Sequence, residues 1–305
     1  MNHTLVEQIK TLASEIGYVK CGVTTADPFE DYARALEERA RLFPEQRELW
    51  LKMKHRAYPR EKTPWARSII VCIRWYGRYA VPETAVGSIG RSYLTDRRFE
   101  GCPDHDMPKR MKDGLIRLGL RVKRGGLPDR AAAARAGVAK IGRNCFAYSD
   151  QYGSWINIET WRVDAELPPD PPSLDSPCPE GCNACITACP TRALAEPFIT
   201  RMDKCIAYLT YEAPEPIPAE LQQKMGRWIY GCDVCQDVCP LNKGKWKNVD
   251  RADWMLEIES NLTPQALSQM NEETYRNVIH PRLWYIPEDN LKRWHANASR
   301  VTAMS

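Results

Sequence analysis

Eight of the twelve cysteines of this 305-residue chain lie between residues 178 and 239, and no other feature limits the possible folds so strongly. The first group reads CPEGCNACITACP from Cys178 to Pro190, the second CDVCQDVCP from Cys232 to Pro240, and Cys205 stands alone between them. In a reducing compartment such density does not indicate disulfides. Soft thiolates instead select zinc, copper(I) or iron–sulfur clusters. A zinc site is commonly built from two CxxC pairs and closes with four ligands. Here each group ends in C-x3-C-P, the pattern in which the last cysteine of one run ligates the cluster of the other. Reciprocal exchange gives two four-cysteine sets and therefore two [4Fe–4S] clusters. Cys178, Cys182, Cys185 and Cys239 form the first set, and Cys189, Cys205, Cys232 and Cys235 the second. Pro190 and Pro240 fix the chain after each exchanged cysteine, and Ile186, Ile206, Ile229 and Val238 are expected to exclude water.

The remaining composition is that of a globular protein, with 43% hydrophobic and 27% charged residues and a net charge of +4. No apolar run of about eighteen residues is present to cross a membrane. The N-terminal MNHTLVEQIKTLASEIGY reads as an amphipathic helix rather than a signal peptide, so a cytoplasmic location is expected. The other cysteines, Cys21, Cys72, Cys102 and Cys145, are scattered. Cys21 and Cys72 lie in strand-like runs and read as small buried hydrophobes.

The periodicity predicts a helix over 4–17, with Leu5, Ile9, Leu12 and Ile16 on one face. A strand follows at YVKCGVTT, then charged helical sequence over 30–57 and an unbroken apolar strand at RSIIVCIRWYG. MPKRMKDGLIRLGLRVKRGG gives helix and strand, PDRAAAARAGVAKIG a helix beginning at Pro128, and SWINIETWRV a strand. This alternation predicts an α/β domain over 1–165. The proline-rich stretch 166–176 reads as an extended linker. A double-cluster domain then spans 177–247, and a helical segment 248–305, with helix starts at Thr263 and Asp289. Neither a GxGxxG fingerprint nor a P-loop, GxSxG or HExxH motif occurs. In AGVAKIGRNCFAYSDQYGSW, Gly142 and Gly153–Ser154 permit close backbone approach to a flat ligand against which Trp155 can lie; simple turns account for the same glycines.

ARAGVAKIGRN followed by YGSW, the proline stretch, CNACITACPTRAL, KCIAYLTYE and GRWIYGCDVCQDVCPLNK together resemble the epoxyqueuosine reductase family, over most of residues 15–245. The resemblance implies a nitroreductase-like cobalamin-binding domain joined to a ferredoxin-like double [4Fe–4S] domain, in which the clusters reduce a corrinoid held beside them. It further implies that Ile141, Gly142, Arg143, Asn144, Gly153, Ser154 and Trp155 line the corrinoid, with Tyr208 and Tyr230 between the clusters and the macrocycle. A low-potential donor such as ferredoxin or flavodoxin is the expected electron partner. The family's general-acid aspartate falls here at about Lys123, in VKRGG, which contains no acid. Tyr93, His105, Lys123 and Arg124 are thus the candidate proton donors. The family's tRNA enzymes continue into helical repeats beyond the point where this sequence stops. A shorter member that shares the cofactors and acts on a different substrate is expected. The alternatives are an electron-transfer protein serving a partner's corrinoid, and a reductase acting on tRNA.

Overall fold

A computed structural model describes residues 4–304. The chain divides into two compact units. One comprises the residues up to Tyr76 together with Asp106–Cys182, the other Gly77–His105 together with Asn183 onward.

The first unit is built on a four-stranded antiparallel sheet. Its strands are β1 (Lys20–Thr25), β2 (Ser68–Trp75), β3 (Val122–Arg124) and β4 (Ile156–Val163), in the order β1-β2-β4-β3. Helix α1 (Leu5–Ile16) starts with a capping box: Thr4 Oγ1 accepts the Glu7 N–H, and the Glu7 carboxylate accepts the Thr4 N–H. Helices α1 and α3 (Met107–Arg117) bury Ile9, Ala13, Met111 and Leu115 against Val23, Ile70, Cys72 and Trp161 on one face of the sheet. Gly114 lets them approach closely, since a Cβ there would stand 2.5 Å from Leu12. Helices α2 (Glu30–Leu42) and α4 (Asp129–Arg135) supply Ala33, Ala132 and Ala133 to the opposite face, against Ile69, Val71 and Ile73. With both faces covered, β2 is buried almost throughout, which is why its sequence is apolar without alternation. The helical expectation over 30–57 is interrupted after Leu42 by Pro44, where short turns begin.

At the end of α4, Arg135 donates to Thr24 Oγ1 and to the carbonyls of Thr25, Asp27 and Pro28 while lying 3.5 Å from the Phe29 ring centre. The proline-rich stretch is extended, as expected, but it is anchored to this unit. The Asp170 N–H donates to the Val23 carbonyl, its carboxylate accepts from the Val23 N–H at 2.8 Å and from Lys10, and the Ser173 N–H reaches Ala134. It therefore occupies the otherwise open edge of β1.

The second unit is a set of short helical turns. Residues 79–80 pair in parallel with 250–251, so the Gly77–His105 segment belongs with the cysteine-rich half of the chain. Its main core gathers Tyr79, Leu94, Tyr230, Trp254, Tyr275, Ile279 and Trp294. Thr263 caps a helix as expected, accepting the Ala266 N–H. That helix ends at Ser268, because Asn271 caps a new turn by accepting from Thr274. The last helix begins at Leu291 after Asn290, not at Asp289, and has no side-chain cap.

Candidate functional site

In the second unit the cysteines from Cys185 onward sit beside helical turns too short to stand alone. Cys185 lies in α5 (Ala184–Ala188), and Cys189 is the residue after it. Cys205 precedes α6 (Ile206–Tyr211), while Cys235 lies in α7 (Val234–Asp237) between Cys232 and Cys239. Helices α5 and α7 pack together, so Cys185 and Cys189 meet the Cys232–Cys239 group. Burial pushes the Cys232 thiol up, and the nearby charges of Cys205 and Cys189 add to the effect. Burial likewise dominates at Cys235, followed by Cys232, Cys205, Asp233 and Cys185. Cys185, Cys189, Cys205, Cys232 and Cys235 thus share one electrostatic neighbourhood. Burial favours the neutral thiol at these positions, and a bound metal would reverse that preference. Among the described residues, no three of His, Cys, Asp or Glu close on a single-ion site.

Backbone donors point at sulfur. The Ala193 N–H lies 3.2 Å from Cys189 Sγ, with the Thr191 hydroxyl at 3.7 Å, and the Val234 N–H reaches Cys232. Such bonds stabilise negative charge on thiolates and tune a cluster's potential. The loop bearing Cys232 is fastened by Arg91, whose backbone N–H and Nε each lie 2.9 Å from buried Asp233 and whose guanidinium also pairs with Asp237. Of the four apolar residues expected to exclude water, Ile206 and Ile229 are buried and Ile186 is half-buried. Val238 is 40% exposed, because it follows the single turn of α7 on its solvent side.

Gly231, next to Cys232, has φ +75° and its Cβ position is only 2.2 Å from the Tyr93 ring, a place open only to glycine. Tyr93 is packed edge-on against Tyr211, Tyr230 and Tyr285, and its hydroxyl lies 3.2 Å from that of Tyr211. Burial pushes the Tyr93 phenol well up. Tyr230 is fully buried, stacked on Trp294, with its hydroxyl accepting the Tyr285 N–H. Both residues thus form an aromatic wall behind the Cys232 loop. Tyr208 is half-buried on α6. His105 faces the Arg97 carbonyl at 3.0 Å.

The first unit carries the remaining candidates. Residues 140–141 and 147–148 form a small hairpin, and Gly142–Phe146 is its turn. The Arg143 N–H donates to Cys178 Sγ at 3.3 Å, and its guanidinium donates to the Cys182 carbonyl at 2.8 Å. Asn144 bonds the Tyr148 hydroxyl, and Gly142 backs directly onto the Tyr148 ring. The turn expected beside a flat ligand is therefore tied to the first cysteines. Gly153 has φ +60° and pairs with Ser149 across a tight turn. Ser154 and Trp155 are 1% and 2% exposed, so Trp155 packs inward, edge-on to Tyr76, rather than presenting an open face.

Lys123 lies exposed on edge strand β3, and Arg124 approaches Glu159 at 3.7 Å. Two carboxylates missed by the sequence reading stand near this strand. Buried Glu159 accepts from the Tyr18 hydroxyl, and Asp129 accepts from Thr160 at 3.0 Å. Burial raises the Asp129 carboxyl above the ordinary range, so it keeps its proton to higher pH. Neither had a signal in the sequence beyond its charge, because only the pairing of β3 with β4 brings them together.

Residues 178–242 match the model of a 4Fe-4S double cluster binding domain. The chain is 33% identical over 295 residues to the epoxyqueuosine reductase of Staphylococcus aureus, covering 90% of this chain and 74% of that one. It is 32% identical over 264 residues to the Bacillus subtilis epoxyqueuosine reductase, covering 80% and 65%. Among solved structures, an epoxyqueuosine reductase bound to an epoxyqueuosine-modified tRNA-Tyr stem loop superposes with a TM-score of 0.81 at 27% identity, covering 98% of this chain and 81% of that one. The Streptococcus thermophilus enzyme gives 0.79 at 25% identity, covering 99% and 81%.

Proposed function

The chain belongs to the epoxyqueuosine reductase family of iron–sulfur oxidoreductases, and we propose that it passes electrons through two [4Fe–4S] clusters to a corrinoid for a reductive reaction. The first cluster is assigned to Cys178, Cys182, Cys185 and Cys239, the second to Cys189, Cys205, Cys232 and Cys235. The observation that carries this reading is the bond from the Arg143 N–H to Cys178 Sγ. It joins the Gly142–Asn144 turn of the α/β unit, the segment assigned to the corrinoid, to a ligand of the first cluster.

Cobalamin, when bound, supplies a low-potential metal centre able to deliver an electron pair. The protein's own tasks are to position that centre, exclude water and bring a proton. The Gly142 and Gly153 turns shape the first unit's surface, with Ser154 and Trp155 holding the second turn from within. The Tyr93–Tyr211–Tyr230 wall seals the loop of the second cluster. Lys123 stands where the family's acid falls, and as an ammonium it can donate a proton. A ferredoxin- or flavodoxin-type protein is the proposed donor.

A cationic residue in place of a carboxylic acid favours a substrate other than the tRNA base. A second reading, reduction of epoxyqueuosine in tRNA, draws on the solved relative bound to a modified tRNA stem loop. Incubation of the reconstituted protein, anaerobically and under reductant, with an epoxyqueuosine-modified stem loop separates them. Absence of queuosine by mass spectrometry, with conversion gained in Lys123→Asp, supports a changed substrate. Full conversion by the unmodified protein establishes the tRNA reading instead.

A further inference from the structure

Cys21 and Cys72, outside the cluster motifs, are exact register partners across β1 and β2. The hydrogen-bond pattern shows which kind of pair they form. Ala26 N–H donates to the Arg67 carbonyl within the same register, so the alternate pairs 24/69 and 22/71 carry the inter-strand bonds. On the odd residues of β1 the backbone faces the other way: Val23 gives its N–H to the Asp170 carboxylate and its carbonyl to the Asp170 N–H. Cys21 and Cys72 therefore occupy a non-hydrogen-bonded site, where facing Cα atoms stand about 4.5 Å apart and the side chains are closest. That separation falls inside the range that a disulfide spans, at its short end.

Burial, followed by the neighbouring Cys21, pushes the Cys72 thiol up. Cys72 is wholly buried, while Cys21 is half-buried on the edge strand and retains solvent access. The next residue along the row is Glu159, the register partner of Cys72 on β4, so the pair sits at the polar end of an otherwise apolar face. One accessible thiol beside one sequestered thiol is the arrangement in which the first is oxidised and the second resolves it.

We propose that Cys21 and Cys72 form a reversible cross-strand disulfide, a redox modification site distinct from the cluster ligands, written by a peroxide and erased by a thiol reductant. The peroxide oxygen adds to Cys21 as a sulfenic acid, releasing one water. The Cys72 sulfur then displaces the hydroxyl as a second water, and its proton leaves with it. Both thiols lose one electron and one proton each, and hydrogen peroxide is reduced to two waters. A link whose Cys21 sulfur is only half-buried is open to attack by a thiol reductant.

The test uses the full-length protein with its clusters reconstituted under anaerobic conditions. It is treated with equimolar hydrogen peroxide, alkylated, digested and read by mass spectrometry. The expected product joins the Cys21 and Cys72 peptides, two hydrogens lighter than their sum, and disappears on treatment with dithiothreitol. In Cys72→Ala, checked for its fold by circular dichroism, the Cys21 peptide should carry a dimedone-trappable sulfenic acid that the unmodified protein lacks. Both peptides recovered singly alkylated after peroxide overturns the proposal. So does equal dimedone trapping of Cys21 with and without Cys72.

Discussion

Gly231→Ala tests whether the Cys232 loop is held as described. The residue has φ +75°, and a side chain in that left-handed region costs about 1–2 kcal/mol. The new methyl would also stand 2.2 Å and 2.7 Å from two carbons of the Tyr93 ring. That ring cannot retreat, being wedged among Tyr211, Tyr230 and Tyr285, so overpacking adds about 1–3 kcal/mol. Together the substitution should destabilise the protein by roughly 2–5 kcal/mol. The readout is guanidinium unfolding of the cluster-free protein, followed by tryptophan fluorescence, since Trp228, Trp254, Trp284 and Trp294 all lie in this unit. Repeating the change in a Tyr93→Ala background separates the two contributions. Without the ring only the backbone cost, about 1–2 kcal/mol, should remain. An equal cost in both backgrounds would refute the packing argument, because the ring would then not be what the methyl meets.

Arg135→Lys keeps the charge but loses the planar fork that reaches Thr24, Thr25, Asp27 and Pro28, and should cost about 2–4 kcal/mol in the same assay; a loss below about 0.5 kcal/mol contradicts the clamp. Asp129→Asn concerns pH. The folded carboxyl has a raised pKa, so it binds more protons than the unfolded one, and stability falls as pH rises through the carboxylate range. The amide can still accept from Thr160 and should flatten that decline above about pH 4; an unchanged slope sinks the assignment. Cys239→Ser should disturb the first cluster, although Cys239 lies in the second motif. EPR showing damage only to the cluster of Cys235 would reverse the pairing.

The parts of the molecule governed by local rules were legible in the sequence. The helical spacing of Leu5, Ile9, Leu12 and Ile16, the unbroken apolar run of β2 and the C-x3-C-P repeats each carry their reason within a few residues. What was not legible depends on distant partners. The proline-rich stretch has no periodicity to show that Asp170 and Ser173 would close the β1 edge. Nothing local in Gly77–His105 shows that it packs with residues beyond Asn183. Tyr93 and Tyr230 are far apart in sequence and become one aromatic wall only through the fold. Trp155, beside two flexible residues, has the composition of a ligand-facing turn, yet its ring faces inward. In the C-terminal half, Asn271 competes with a continuous helix and wins, since its side chain satisfies the Thr274 N–H.

The central claim is that the clusters serve a corrinoid bound by this same chain. Anaerobic reconstitution with iron, sulfide and cob(II)alamin, followed by desalting, iron analysis and EPR, tests it directly. The account predicts about eight irons per chain, two four-iron clusters, together with a retained base-off cobalt(II) signal. The same iron content with no retained cobalt would contradict it and leave a two-cluster electron carrier.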